Sequence, residues 1–210
     1  MNEDTTLTFH PIRTISDPVL PDVFDIYQQS FPHYEQIRAS YFLRYLHNSD
    51  SEENSGFHYY CLKNGTEVVG FSFFEIGDEV RDLGKPGYIW YLGIREDKRG
   101  AGLGVVLYNH IRRFVEENGC CALTYEIEIE DEIRGRIGEE AAHNASRRRR
   151  WYKDLGAKAI GGIHYQYEGG GIWEVMVHLF YKEISPQDAL DLVMGTIDGT
   201  YQRTGDVNFQ

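Results

Sequence analysis

Ile94-Arg95-Glu96-Asp97-Lys98-Arg99-Gly100-Ala101-Gly102-Leu103-Gly104-Val105-Val106-Leu107 runs from an aliphatic strand end through a charged, glycine-rich turn into a helix. Glycines let successive backbone N–H groups point into one concavity, and the start of a helix adds its positive dipole end. Such a turn suits a diphosphate. It lacks the Gly-Lys-Ser/Thr ending of a P-loop, and its glycines are not spaced as G-x-G-x-x-G, so neither common nucleotide site fits.

Outward from this turn the chain reads as alternating strands and helices. Upstream, Tyr88 to Ile94 forms a strand, preceded by a hairpin of Phe57 to Leu62 and Glu67 to Ile76 about a turn at Asn64-Gly65. Residues 48–56 are a polar loop. Further back, Thr6 to Ile12 alternates as a first strand, Asp17-Pro18 opens a helix carrying Val19, Val23, Ile26 and Tyr27, and a second helix covers Tyr34 to Leu46. Downstream, Val105, Leu107, Tyr108, Ile111 and Val115 keep helical spacing up to Gly119. A strand from Ala122 to Glu130 follows, with Thr124, Glu126, Glu128 and Glu130 on one face. A helix through Ser146 to Leu155, strands Lys158 to Tyr167 and Trp173 to Tyr181, and an amphipathic helix from Ser185 to Tyr201 complete the order. The class is mixed α/β with a mainly antiparallel first half. Residues 1–184 read as one domain and 185–210 as a helical extension packed on or beside it.

Composition narrows the function. The chain has 210 residues, of which 41% are hydrophobic and 26% charged, enough for a full core. A net charge of −12 opposes nucleic acid as main partner, since phosphate backbones need clustered Lys and Arg and the run Arg147 to Arg150 is short. No apolar stretch is long enough to span a bilayer, and the start MNEDTTLTFH lacks a signal-peptide pattern, so a cytoplasmic protein without a membrane partner is expected. Cys61, Cys120 and Cys121 lack the C-x-x-C spacing of zinc or redox sites, so they read as buried thiols and no metal is expected.

The segment Ile94 to Leu107 resembles motif A of the GCN5-related N-acetyltransferase (GNAT) superfamily, and Arg150-Trp151-Tyr152-Lys153-Asp154-Leu155-Gly156-Ala157 resembles its motif B, with Ala157 in place of the usual phenylalanine. The likeness covers residues 57–167 best. It implies a mostly antiparallel sheet of about seven strands, helices on both faces and a splayed strand pair. It also implies acetyl-CoA (CoA) as cofactor. The backbone of Leu92, Gly93 and Ile94 would bind the pantetheine arm, and Arg99, Gly100, Ala101, Gly102, Leu103, Gly104 and Val105 the diphosphate. Asn144 lies one residue further from Tyr152 than the family's usual asparagine.

Acetyl transfer to an amine needs a base for the amine's proton and an acid for the leaving thiolate. Tyr152 matches the family's tyrosine acid, and a phenol of pKa about 10 suits a thiol leaving group. Glu126 stands where the ribosomal-protein acetyltransferase branch has its glutamate base, while the histone branch's base position falls on Tyr88. Glu128, Glu75 and a water chain remain alternative bases. Three carboxylates on one strand face also suggest a cationic ligand. The acceptor is expected to be a primary amine of a small molecule or a protein N-terminus, the chain acting as monomer or homodimer. The alternative reading is a CoA-sensing or partner-binding module of the same fold without turnover.

Overall fold

The computed structural model describes residues 6–33, 35–47, 56–166, 172–180, 184–195 and 200–210. In chain order the elements are β1 (Leu7–Pro11), α1 (Leu20–Ser30), α2 (Ala39–His47), β2 (Phe57–Asn64), β3 (Glu67–Ile76), β4 (Lys85–Ile94) and α3 (Leu103–Glu117). Then come β5 (Cys120–Glu128), α4 (Glu130–Arg136), α5 (Glu139–Asp154), β6 (Lys158–Gln166), β7 (Ile172–Leu179), α6 (Pro186–Met194) and β8 (Thr200–Phe209). The sheet order is β1-β2-β3-β4-β5-β7-β6-β8, antiparallel in every described pairing except the parallel β4–β5 pair. The mixed, mostly antiparallel α/β class expected from the sequence is the class observed. Of the expected polar loop, residues 48–55 lie outside the described residues.

Packing divides the chain into two compact units, residues 1–76 with 89–114 and residues 77–88 with 115–210. In the first, β1, β2 and β3 pair as a meander. Its core is aromatic: Tyr27 and Phe42 meet Tyr59, Phe71, Phe73 and Tyr91. Rings of this size bury much apolar area and prefer the tilted and edge-on contacts seen here. The unit also contains the glycine-rich turn and α3 as far as Phe114.

In the second unit, β4 and β5 pair in parallel from Lys85–Cys120 to Tyr88–Thr124, with the Thr124 hydroxyl donating to the Gly87 carbonyl at 3.0 Å. β5 then pairs with β7, Glu126 opposite Val175 and Ile127 opposite Glu174. Side chains alternate along a strand. One face of β5 therefore carries Ala122, Thr124, Glu126 and Glu128, and the other Leu123, Tyr125 and Ile127. The first face packs through Ala122, Val175 and Val177 on Ala189, Leu190, Leu192 and Val193 of α6, while α5 lies against the second through Tyr152 and Tyr125. Helices thus cover both faces of this unit's sheet.

Two expectations are corrected. The strand ending in Glu130 stops at Glu128, and Glu130 opens α4. An acidic first turn of Glu130, Asp131 and Glu132 and a basic last turn with Arg134 and Arg136 complement the helix dipole, and the Arg134–Glu130 pair at 2.6 Å adds to it. The final helix begins as expected, with Ser185 capping the Asp188 N–H at 3.1 Å, but it ends at Met194. The chain then forms β8, antiparallel to β6 from Gln166–Thr200 to Ile160–Phe209. In Thr200–Phe209 the alternation of Tyr201, Val207 and Phe209 is interrupted by Arg203 and Gly205, so its strand form depends on pairing with a distant partner.

Candidate active site

The turn keeps the form its sequence suggests. A short 3-10 turn over Glu96–Lys98 is followed by Gly100 and Gly102, both left-handed at φ 82° and 78°. Only glycine adopts this region without steric cost. A Cβ placed on either would meet no described atom within 4 Å, so the space beside both glycines is open. The first N–H groups of α3 have no partner within the helix, and backbone bonding resumes where Val105 and Val106 donate to the Gly102 carbonyl. Arg99 donates to the Ile94 carbonyl at 3.1 Å and to the Ser30 hydroxyl at 3.2 Å, which fastens the mouth of the turn to the end of β4 and to α1. Gly93 has a packing reason as well, since a Cβ there would come within 2.7 Å of the Phe71 ring. An open cradle of backbone donors is what a diphosphate requires, and the residues present fit that group.

In the second unit, Glu126 is half-buried on β5. Its Oε2 accepts a hydrogen bond from the Tyr88 hydroxyl, and its Oε1 is shielded from solvent with no partner among the described residues. Burial disfavours the charged form and pushes the carboxyl up to about 7, against a smaller lowering by the Tyr88 hydroxyl and by a backbone hydrogen bond. A carboxylate poised near neutral pH is suited to general base work. Tyr152 lies near the C-terminal end of α5, buried, its ring 4.2 Å from that of Tyr125 and 4.7 Å from that of Trp151. Because Tyr125 and Glu126 alternate on β5, Tyr152 and Glu126 lie on opposite faces of that strand.

The raised Glu126 carboxyl has a consequence for stability. Between its ordinary 4.5 and about 7, the folded chain holds a proton that the unfolded chain releases. Stability therefore falls as pH rises through that window, and the loss is complete above it. Glu126→Gln removes the ionisation, so its melting temperature relative to wild type should climb from pH 4.5 to pH 8. Thermal denaturation across that range measures it, and a constant difference would refute the buried ionisation.

The sequence model described as "Acetyltransferase (GNAT) family" matches residues 20–134, more than half of the chain. The chain belongs to the acetyltransferase (GNAT) family. Solved structures agree with this GNAT protein in fold. A GNAT-family protein from Bacteroides thetaiotaomicron is 20% identical, with TM-score 0.65 over 89% of this chain and 95% of that one. The ribosomal-protein-S18-alanine N-acetyltransferase from Escherichia coli is 17% identical, with TM-score 0.54 over 85% of this chain and 97% of that one. A GNAT family acetyltransferase from Elizabethkingia anophelis with acetyl-CoA bound is 13% identical, with TM-score 0.56 over 83% and 98%. No curated protein matches.

Other residues singled out in this GNAT chain have structural partners. Glu128 accepts from Arg148, so its charge is offset, and Arg149 is paired with Glu174 at 2.5 Å. Glu130 is tied to Arg134 on α4. The row of three carboxylates that suggested a cationic ligand is thus reduced to Glu126. Glu75, in the first unit, accepts from the Trp90 indole N–H at 2.9 Å. Sequence reasoning noted Tyr88 only as a substitution at another branch's base position and missed its bond to Glu126. The available signal was a hydroxyl-bearing residue on the strand expected to lie beside Glu126. No helix among the described residues is long and apolar enough to cross a membrane.

Proposed function

We propose that the protein transfers an acetyl group from acetyl-CoA to a primary amine, of a small molecule or a protein N-terminus, with Glu126 as base and Tyr152 as acid. The observation that carries this reading is the Glu126 carboxyl: shielded, held near neutral pKa and with one oxygen unpartnered, in a chain of an acetyltransferase family. The backbone N–H groups from Gly100 to Val105 would hold the diphosphate, aided by Arg99, and the strand end Leu92 to Ile94 the pantetheine arm. When bound, acetyl-CoA supplies a thioester whose C–S bond breaks as the acceptor's N–C bond forms. Glu126 takes the proton leaving the nitrogen at Oε1, Tyr152 gives its phenolic proton from Oη to the sulfur, and exchange with solvent resets both. The protein-N-terminus reading draws on the likeness to the ribosomal-protein-S18-alanine N-acetyltransferase.

The test is acetyl-CoA consumption with a panel of small amines and N-terminal peptides, run beside thermal shift with acetyl-CoA. Binding should raise the melting temperature by linkage, by about 2.7 kcal/mol of stability at a hundredfold excess over Kd. Turnover is expected with at least one amine class. Binding without turnover across the panel would favour the cofactor-sensing alternative, and the absence of both would refute the reading.

A further inference from the structure

Tyr88 and Glu126 come from different strands but share one face. The parallel register sets Tyr88 beside Thr124, and Glu126 is the next residue on that face of β5. Tyr88 is buried, and the Thr124–Gly87 hydrogen bond secures the ladder beside it. Around Glu126 the charged groups are accounted for. Glu128 on the same strand is held by Arg148, and β7 presents Val175 opposite Glu126, Val175 belonging to an apolar cluster with Ala189, Leu192 and Val193 of α6. The α6 carboxylates bind elsewhere, Asp188 to Ser185 and Asp191 to Arg81. Among the described residues no cation offsets Glu126, and the one side chain bonded to its carboxyl is the Tyr88 hydroxyl.

We propose that Tyr88 is a positioning residue for this reaction: its hydroxyl holds Glu126 Oε2, leaving Oε1 as the oxygen that meets the acceptor amine. The proposal rests on the reading of Glu126 as base. A phenol that donates to one carboxylate oxygen fixes the rotation of the group and supports its charged form in a site where burial opposes it. It also gives the two oxygens different work. Oε2 is occupied by a donor that keeps its proton, so the proton leaving the nitrogen goes to Oε1. A tyrosine in place of a second carboxylate at this point of β4 avoids a like-charge pair that would push one of the two acids far above neutrality.

The experiment is a carbon-13 carboxyl titration of Glu126, assigned by the resonance lost in Glu126→Gln, in wild type and Tyr88→Phe. Removing the donor should raise the Glu126 midpoint by about one pH unit. The acidic limb of kcat/KM should move upward by the same amount, with activity recovering at alkaline pH and KM for acetyl-CoA unchanged. Loss of mere packing would instead lower activity equally at every pH. Fluorotyrosine at position 88 serves if Tyr88→Phe folds poorly: its more acidic phenol is a stronger donor and should move the midpoint downward. An unmoved midpoint in a chain that acetylates amines overturns the role of Tyr88 and leaves Glu126 as base. A moved midpoint in a chain that turns over no amine refutes instead the acyl-transfer reading that gives the clamp its purpose.

Discussion

Glu126→Gln is expected to lower kcat by about 10²–10⁴-fold near neutral pH, the usual contribution of a general base, while acetyl-CoA affinity persists. The glutamine amide can still accept from Tyr88, so the geometry survives and only the proton acceptor is lost. In wild type the acidic limb of kcat/KM should fall near the raised Glu126 carboxyl at about 7, and in the variant that limb should vanish. Tyr152→Phe is expected to lower kcat by at least about tenfold and to change the alkaline limb, because the phenol must be protonated to act. Steady-state rates against pH with the best amine of the panel decide between these outcomes. Normal turnover in both variants would remove the active-site assignment and leave the family and fold untouched. A silent Glu126→Gln beside an impaired Tyr152→Phe would turn attention to a water chain, since Glu128 is occupied by Arg148 and Glu75 by Trp90.

The double variant Gly100→Val, Gly102→Val should abolish the thermal shift given by acetyl-CoA, a loss of about 10²-fold or more in affinity. Both positions lie in the left-handed region, which costs a branched residue about 1–2 kcal/mol each, so the substitutions would disturb the backbone of the turn that is expected to hold the diphosphate. The variant will melt lower on its own account. The decisive quantity is the shift caused by the cofactor relative to the variant's own baseline. A shift as large as that of wild type would mean that the diphosphate is held elsewhere.

Local pattern carried much of this structure. β3 spans Glu67–Ile76 as expected, and α3 follows the turn and ends just short of Gly119. Both have strong periodicity and clear punctuation by glycine. The turn between β2 and β3 is marked by Gly65 at φ 61°. Where the reading failed, the deciding interaction was distant in sequence. α2 begins only at Ala39, α5 extends back to Glu139, and β8 forms from a polar stretch because β6 is there to pair with. The site divides in the same way. The cradle could be read from consecutive residues, and Glu126 and Tyr152 from motif position. The Tyr88–Glu126 bond joins residues far apart in the chain and depends on the register of β4 against β5. That register has no local signature.

Strand β8 also decides whether an edge of β6 is left open for pairing. β6 carries Ile160 and Ile163, both buried, and β8 occupies the backbone groups along its outer side, down to the reciprocal bonds of 3.2 and 2.9 Å between Ala159 and Gln210. Without Thr200–Phe209, β6 would present an unpaired edge next to an apolar core, a template on which a second chain could add a strand. β8 is a poorer template, for its sequence includes Arg203, Gly205 and Asp206. A polar strand thus shields a sticky one, and shortening the chain ahead of Thr200 would convert a sheet margin into a site of aggregation even where the chemistry upstream is intact.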